Sequence, residues 1–116
     1  VKFHRKLEGN LQGLFNELAK RPEFYIHEFS TYDYRNVVGS STPKLSNHSY
    51  GIAFDLNPHY NPYIKNGVVK GGSNIYNSTL SMRSSSNWVV QTCAKYGFGW
   101  GGWYKDYMHF SYFDGR

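Results

Sequence analysis

Apolar residues in this 116-residue chain occur in runs of only a few residues, separated by glycine, proline and polar side chains. A helix that crosses a bilayer needs about 20 consecutive apolar residues, so we expect no membrane insertion. The single cysteine, Cys93, excludes an internal disulfide framework. One hydrophobic core must therefore hold the chain, and we expect one domain over residues 1–116.

The spacing of apolar residues predicts two helices. A stripe of apolar residues predicts a helix over residues 4–20, which Pro22 terminates. A second helix is predicted through residues 88–94, with an N-cap from Ser84–Ser86 and with Gly97 as the residue after its C-cap. The stripe of the first helix consists of Leu7, Leu11, Leu14, Phe15 and Leu18.

Alternation of apolar and polar residues predicts strands at residues 24–30, 50–56 and 107–113. Two Asn-Pro steps assign residues 57–63 to a loop. Residues 31–47 are also assigned to a loop, residues 64–82 to an irregular excursion with at most a brief strand, and Gly99–Trp103 to a turn. The predicted fold class is α+β, with two main helices packed on a small antiparallel sheet.

Two histidines and a carboxylate stand at positions where strand ends bring them together. His48 and Asp55 flank the second strand and His109 lies in the third, and two nitrogens with one anionic oxygen suit Zn²⁺. Three protein ligands leave a fourth position for water, as in catalytic zinc sites. Asp106 needs a turn or bulge to reach the same site as a general base. His59 is an alternative ligand, although the Asn-Pro turn after Asp55 argues against it.

These residues resemble a known family, the zinc D-alanyl-D-alanine carboxypeptidases and L-alanyl-D-glutamate endopeptidases, whose fold is shared with hedgehog domains and lysostaphin-type peptidases. The family pattern is S-x-H-x-x-G-x-A-x-D followed distally by [D/E]-x-x-H, and the resemblance extends over residues 31–112. The chain carries every element of the pattern, at Ser46, His48, Gly51, Ala53, Asp55, Asp106 and His109.

The resemblance implies a metal site and a base. His48, Asp55 and His109 match the Zn²⁺ ligands of the family, and Asp106 matches its general base and acid. Many relatives carry Glu at the base position, and Asp is one methylene shorter. Arg35 matches the arginine that faces the scissile carbonyl, where a fixed cation stabilises developing negative charge.

The resemblance also implies substrate contacts. Ser46 matches the serine beside the first metal ligand, as a contact to that ligand or to a substrate carboxylate. Trp100 and Trp103 either line the substrate cleft or pack over the sheet. Relatives commonly insert an Asp between the glycines and the second tryptophan, and this chain has Gly102 directly before Trp103.

The function implied by the resemblance is zinc-dependent hydrolysis of a peptide bond in the peptidoglycan stem peptide. The Asp base and small domain favour an L-alanyl-D-glutamate endopeptidase of the phage endolysin branch. The alternatives are a D-alanyl-D-alanine carboxypeptidase and a non-catalytic zinc-containing cell-wall binding module. The formal charge of +5 fits polyanions in general, but no RNP-like or helix-turn-helix pattern indicates nucleic acid. We expect a monomer acting at the bacterial cell wall, either exported or released from a host cytoplasm as a phage lytic enzyme.

Overall fold

The computed structural model describes residues 3–31 and 51–112. In this part of the chain, helix α1 spans Glu8–Leu18 and helix α2 spans Trp88–Lys95, with 3-10 turns at Arg5–Leu7 and Gly101–Tyr104. The strands are β1 (Phe29–Ser30), β2 (Ala53–Leu56), β3 (Tyr63–Lys65), β4 (Val68–Gly71), β5 (Phe98–Trp100) and β6 (His109–Tyr112). The α+β prediction is confirmed.

The main sheet has the strand order β1-β2-β6-β5, and each neighbouring pair is antiparallel. Strands β3 and β4 form a separate antiparallel hairpin. Helix α2 packs on β5 and on α1, so the core lies between the helices and one face of the sheet. Fully buried side chains at its centre are Leu14, Phe54, Leu80, Met82, Val89, Phe98 and Phe110.

The predicted first helix is confirmed, with shorter bounds. Leu11, Leu14 and Leu18 are buried on one face of α1, and Leu7 is buried in the 3-10 turn that precedes it. The imidazole of His4 accepts a hydrogen bond from the backbone N–H of Lys6 at 3.2 Å and caps that turn. In residues 3–31 and 51–112, no helix combines the length and hydropathy that a membrane crossing requires.

The second helix is confirmed, but its predicted N-cap is wrong. The capping residue is Asn87, whose side-chain oxygen accepts from the N–H of Val89 at 2.9 Å. Because a cap must directly precede the first helical residue, Ser84–Ser86 come too early. Gly97 follows the C-cap with φ of +94°, as predicted, and Cys93 is fully buried.

The predicted strand 24–30 is reduced to Phe29–Ser30 because the side chain of Asn57 binds the backbone that precedes it. Its oxygen accepts from the N–H groups of His27 and Glu28 at 2.7 and 3.1 Å. Its nitrogen donates to the carbonyl of Tyr25 at 3.0 Å. These backbone groups bond to a buried amide instead of a strand ladder.

Replacing Asn57 with Ala should lower the free energy of unfolding by about 4–5 kcal/mol. Three buried hydrogen bonds contribute about 1 kcal/mol each, and alanine at a positive φ adds about 1–2 kcal/mol. Urea denaturation measures the change. Asn66→Ala is the matched control, because Asn66 also has a positive φ but is exposed. Equal losses for the two variants would contradict a stabilising role for the Asn57 amide.

The prediction of an irregular excursion at residues 64–82, with at most a brief strand, is wrong for its first part. This part forms an ordered hairpin with Tyr63. Asn66 and Gly67 connect β3 and β4 with φ values of 53° and 75°. Two consecutive positive φ values are the signature of a tight hairpin turn, for which Asn-Gly is the preferred sequence. The Asn66-Gly67 dipeptide is the feature of the sequence that could have predicted this hairpin. Tyr63, assigned to the preceding loop, is the first residue of β3.

The predicted turn at Gly99–Trp103 is wrong in its first half. Phe98–Trp100 form strand β5, in which Phe98 pairs with Tyr112 and Trp100 pairs with Phe110. Both aromatic side chains are buried and Gly99 lies between them, so this is a short strand with period two. The predicted closing strand is confirmed at His109–Tyr112 within the described residues.

Candidate active site

Strands β2 and β6 place two of the predicted metal ligands directly opposite each other. Asp55 pairs with His109 in the antiparallel register. The Nδ1 atom of His109 lies 3.4 Å from the Oδ1 atom of Asp55, and their side chains are only 6% and 16% exposed. A nitrogen and an anionic oxygen therefore lie close together in a largely buried part of the sheet. The two residues are 54 positions apart in sequence (109 minus 55).

The spacing of these two atoms fits a shared zinc ion. Two ligand atoms that each lie about 2.0–2.1 Å from a tetrahedral zinc are about 3.3–3.4 Å apart. Imidazole nitrogen and carboxylate oxygen are also ligand types that zinc takes in catalytic sites. The donor set formed by Asp55 and His109 is therefore compatible with zinc in both chemistry and separation.

A turn brings Asp106 next to His109, as the sequence requires. The N–H of His109 donates to the carbonyl of Asp106 at 3.2 Å, and the N–H of Asp106 donates to the carbonyl of Gly101 at 3.0 Å. A Cβ added to Gly101 would lie 3.2 Å from the Cβ of Asp106 and 3.1 Å from that of His109. The Cβ atoms of Asp106 and His109 therefore both lie next to Gly101. The space beside them is open because Gly101 has no side chain.

Tyr63 is a neighbour of Asp106 that the sequence analysis did not identify. The two residues form an isolated antiparallel bridge between β3 and the turn before β6. Burial, and secondly the negative charge of Asp106, raise the pKa of the Tyr63 hydroxyl. No local signal identifies this pairing, because it joins segments 43 positions apart (106 minus 63).

The two tryptophans occupy different environments. Trp100 is 6% exposed, packs in the core and donates its indole N–H to the carbonyl of Tyr107 at 3.1 Å. Trp103 is 76% exposed and meets the ring of Trp100 edge to face at 5.9 Å between centroids. Trp100 therefore packs over the sheet, whereas Trp103 presents a large aromatic face to solvent.

Three predicted site residues, Arg35, Ser46 and His48, lie outside the described residues. Among residues 3–31 and 51–112, no three His, Cys, Asp or Glu side chains form a group able to hold a metal ion. The alternative ligand His59 is stacked on His27 at 5.7 Å and meets Tyr60 edge to face at 4.8 Å.

Comparison with protein families finds a match for this chain. The family model described as D-alanyl-D-alanine carboxypeptidase matches residues 39–112, which is more than half of the chain. The match spans β2 to β6 and includes the positions of Asp55, Asp106 and His109. A comparison with curated proteins found no match. The chain belongs to the D-alanyl-D-alanine carboxypeptidase family, and so to the peptidases that act on peptidoglycan.

Proposed function

We propose that this protein is a zinc-dependent hydrolase that cleaves the L-alanyl-D-glutamate bond in the stem peptide of peptidoglycan. The observation that carries the proposal is the close approach of Asp55 and His109 beside Asp106. The family match supports a peptidase that acts on the cell wall. In this proposal residues 1–116 form the catalytic domain, which acts as a monomer at the wall.

Asp55, His109 and His48 would hold the zinc ion. Zinc fits the nitrogen and oxygen that the structure brings within 3.4 Å, and peptidases of this family are generally zinc-dependent. When bound, zinc polarises water and carbonyl groups, which makes water a nucleophile near neutral pH. A third ligand from His48 would leave one position open for solvent or substrate, as catalytic sites require.

Asp106 would carry the proton in this reaction. Its carboxylate takes a proton from the attacking water, while the water oxygen bonds to the carbonyl carbon of the stem peptide. The same carboxyl group then gives the proton to the nitrogen as the carbon–nitrogen bond breaks. Arg35 would face the carbonyl oxygen and stabilise the negative charge that develops there.

Trp103 and Ser46 would bind the substrate. The indole of Trp103 is 76% exposed in the 3-10 turn that precedes Asp106, and it offers an apolar surface to the stem peptide or its sugar. Ser46 would contact a carboxylate of the substrate or the neighbouring metal ligand. Trp100, which is buried in the core, contacts the ring of Trp103 edge to face.

The proposal that the L-alanyl-D-glutamate bond is cleaved depends on which residue type serves as the base. Asp in place of Glu at position 106 favours an endopeptidase of the phage endolysin branch, which reaches the wall from a host cytoplasm. The description of the matching family favours the second candidate function, removal of a terminal D-alanine from the stem peptide. An exported enzyme would reach the same substrate from outside the cell or from the periplasm.

Mass spectrometry of digested peptidoglycan distinguishes these activities. Zinc-loaded protein incubated with purified walls should release fragments that begin with a new D-glutamate amino group and leave L-alanine at a new carboxyl terminus. Free D-alanine and shortened stem peptides would instead indicate the carboxypeptidase. Sedimentation of the protein with the walls, without new termini, would contradict hydrolysis and support a zinc-containing binding module.

A further inference from the structure

The pairing of Tyr63 with Asp106 places their side chains together on one face. The N–H of Ile64 donates to the carbonyl of Lys105 at 2.9 Å, and the N–H of Tyr107 donates to the carbonyl of Pro62 at 3.0 Å. These two bonds flank the bridge, so Tyr63 and Asp106 are a non-hydrogen-bonded antiparallel pair. Opposite residues in such pairs have Cα atoms about 4.5 Å apart and closely spaced side chains.

The hairpin holds Tyr63 in this position. Tyr63 pairs with Gly71 in β4, and a Cβ added to Gly71 would lie 3.9 Å from the Cβ of Tyr63 and 3.7 Å from the Cε of Met108. Met108 is buried in the turn between Asp106 and His109, and its carbonyl accepts from the N–H of Leu56 at 2.9 Å. Backbone hydrogen bonds thus join the turn at residues 105–108 to the start of the hairpin and to β2, and they restrict movement of Tyr63 relative to Asp106.

The chemistry of Tyr63 suits a hydrogen-bond donor in this place. Its side chain is half-buried, and both burial and the charge of Asp106 raise its pKa above the ordinary value for tyrosine. The phenol therefore stays protonated at neutral pH. A tyrosine side chain is also longer than that of aspartate, so its hydroxyl can extend farther from the paired backbones than the Asp106 carboxylate can.

We infer that Tyr63 is a further catalytic residue, whose hydroxyl donates a hydrogen bond to the oxygen of the scissile carbonyl. This inference rests on the proposed hydrolysis. A fixed neutral donor beside the base stabilises negative charge on that oxygen without itself transferring a proton. The hydroxyl is provided by the β3–β4 hairpin, whereas the predicted ligands Asp55 and His109 lie in β2 and β6.

The test is Tyr63→Phe, which removes the hydroxyl and keeps the ring. We expect kcat for stem-peptide hydrolysis to fall about tenfold, as is typical for a lost hydrogen bond to a charged group, with KM changed less than twofold. A phosphinic acid analogue of the stem peptide has tetrahedral oxygens like those of the transition state. Its affinity should fall by a similar factor, because the lost contact is strongest in that state.

Tyr25→Phe is the matched control, since it removes a phenol hydroxyl from a side chain that is 53% exposed and should leave kcat unchanged. Thermal unfolding and bound zinc should be the same in wild type and Tyr63→Phe. If wild type hydrolyses the peptide and Tyr63→Phe matches it in kcat and in affinity for the analogue, the role of Tyr63 is refuted and the proposed function stands. Absence of hydrolysis by wild type would refute both.

Discussion

Asp106→Asn should lower kcat for stem-peptide hydrolysis by about 10²- to 10⁴-fold, the usual contribution of a positioned general acid and base. Asparagine keeps the shape of the side chain and cannot accept the proton of the attacking water. The turn to His109 uses backbone atoms of Asp106, so the fold and zinc content should be retained. The initial rate at which new amino groups appear from purified peptidoglycan measures the effect.

Glu23→Gln is the matched control for Asp106→Asn, because it makes the same chemical change at an exposed carboxylate. Its rate should equal that of wild type. Equal, measurable rates for wild type and Asp106→Asn would contradict the role of Asp106 as the base. If neither protein releases amino groups, the binding-module alternative is favoured, since a zinc site that serves only structure needs no base.

His109→Ala should remove stoichiometric zinc and abolish hydrolysis. The substitution deletes one of three proposed ligands and leaves the carboxylate of Asp55 without the imidazole that lies 3.4 Å away. Elemental analysis after dialysis measures the bound metal. Added zinc should raise the thermal unfolding midpoint of wild type, since a ligand that binds the folded state stabilises it, and should leave that of His109→Ala unchanged.

His59→Ala tests whether His59, the alternative ligand, binds the zinc. His59 stacks on His27. This variant should keep its zinc. Full retention of zinc by His109→Ala, with loss from His59→Ala, would mean that the ligand set is wrong. If neither variant loses zinc, the metal is bound by other residues.

Local periodicity was sufficient to predict both helices and the closing strand. The leucine stripe of α1 and the burial of Cys93 in α2 follow from residues at helical spacing, which share a face whatever the rest of the chain does. Strand β1 could not be predicted at its true length, because Asn57 binds the backbone of residues 25–28 from 29 to 32 positions away. A propensity pattern contains no information about such a bond.

The resemblance of Asp55, Asp106, His109 and their neighbours to a family pattern was enough to indicate the peptidase family before any fold was known, and the family match confirms that family. Only the tertiary structure decided that Asp55 faces His109, that Tyr63 adjoins Asp106, and that Trp100 is buried while Trp103 is exposed. Strand register and hairpin packing determine these neighbours, and both arise from contacts between distant segments. A shift of one residue in the β2–β6 register would turn either side chain to the opposite face of the sheet.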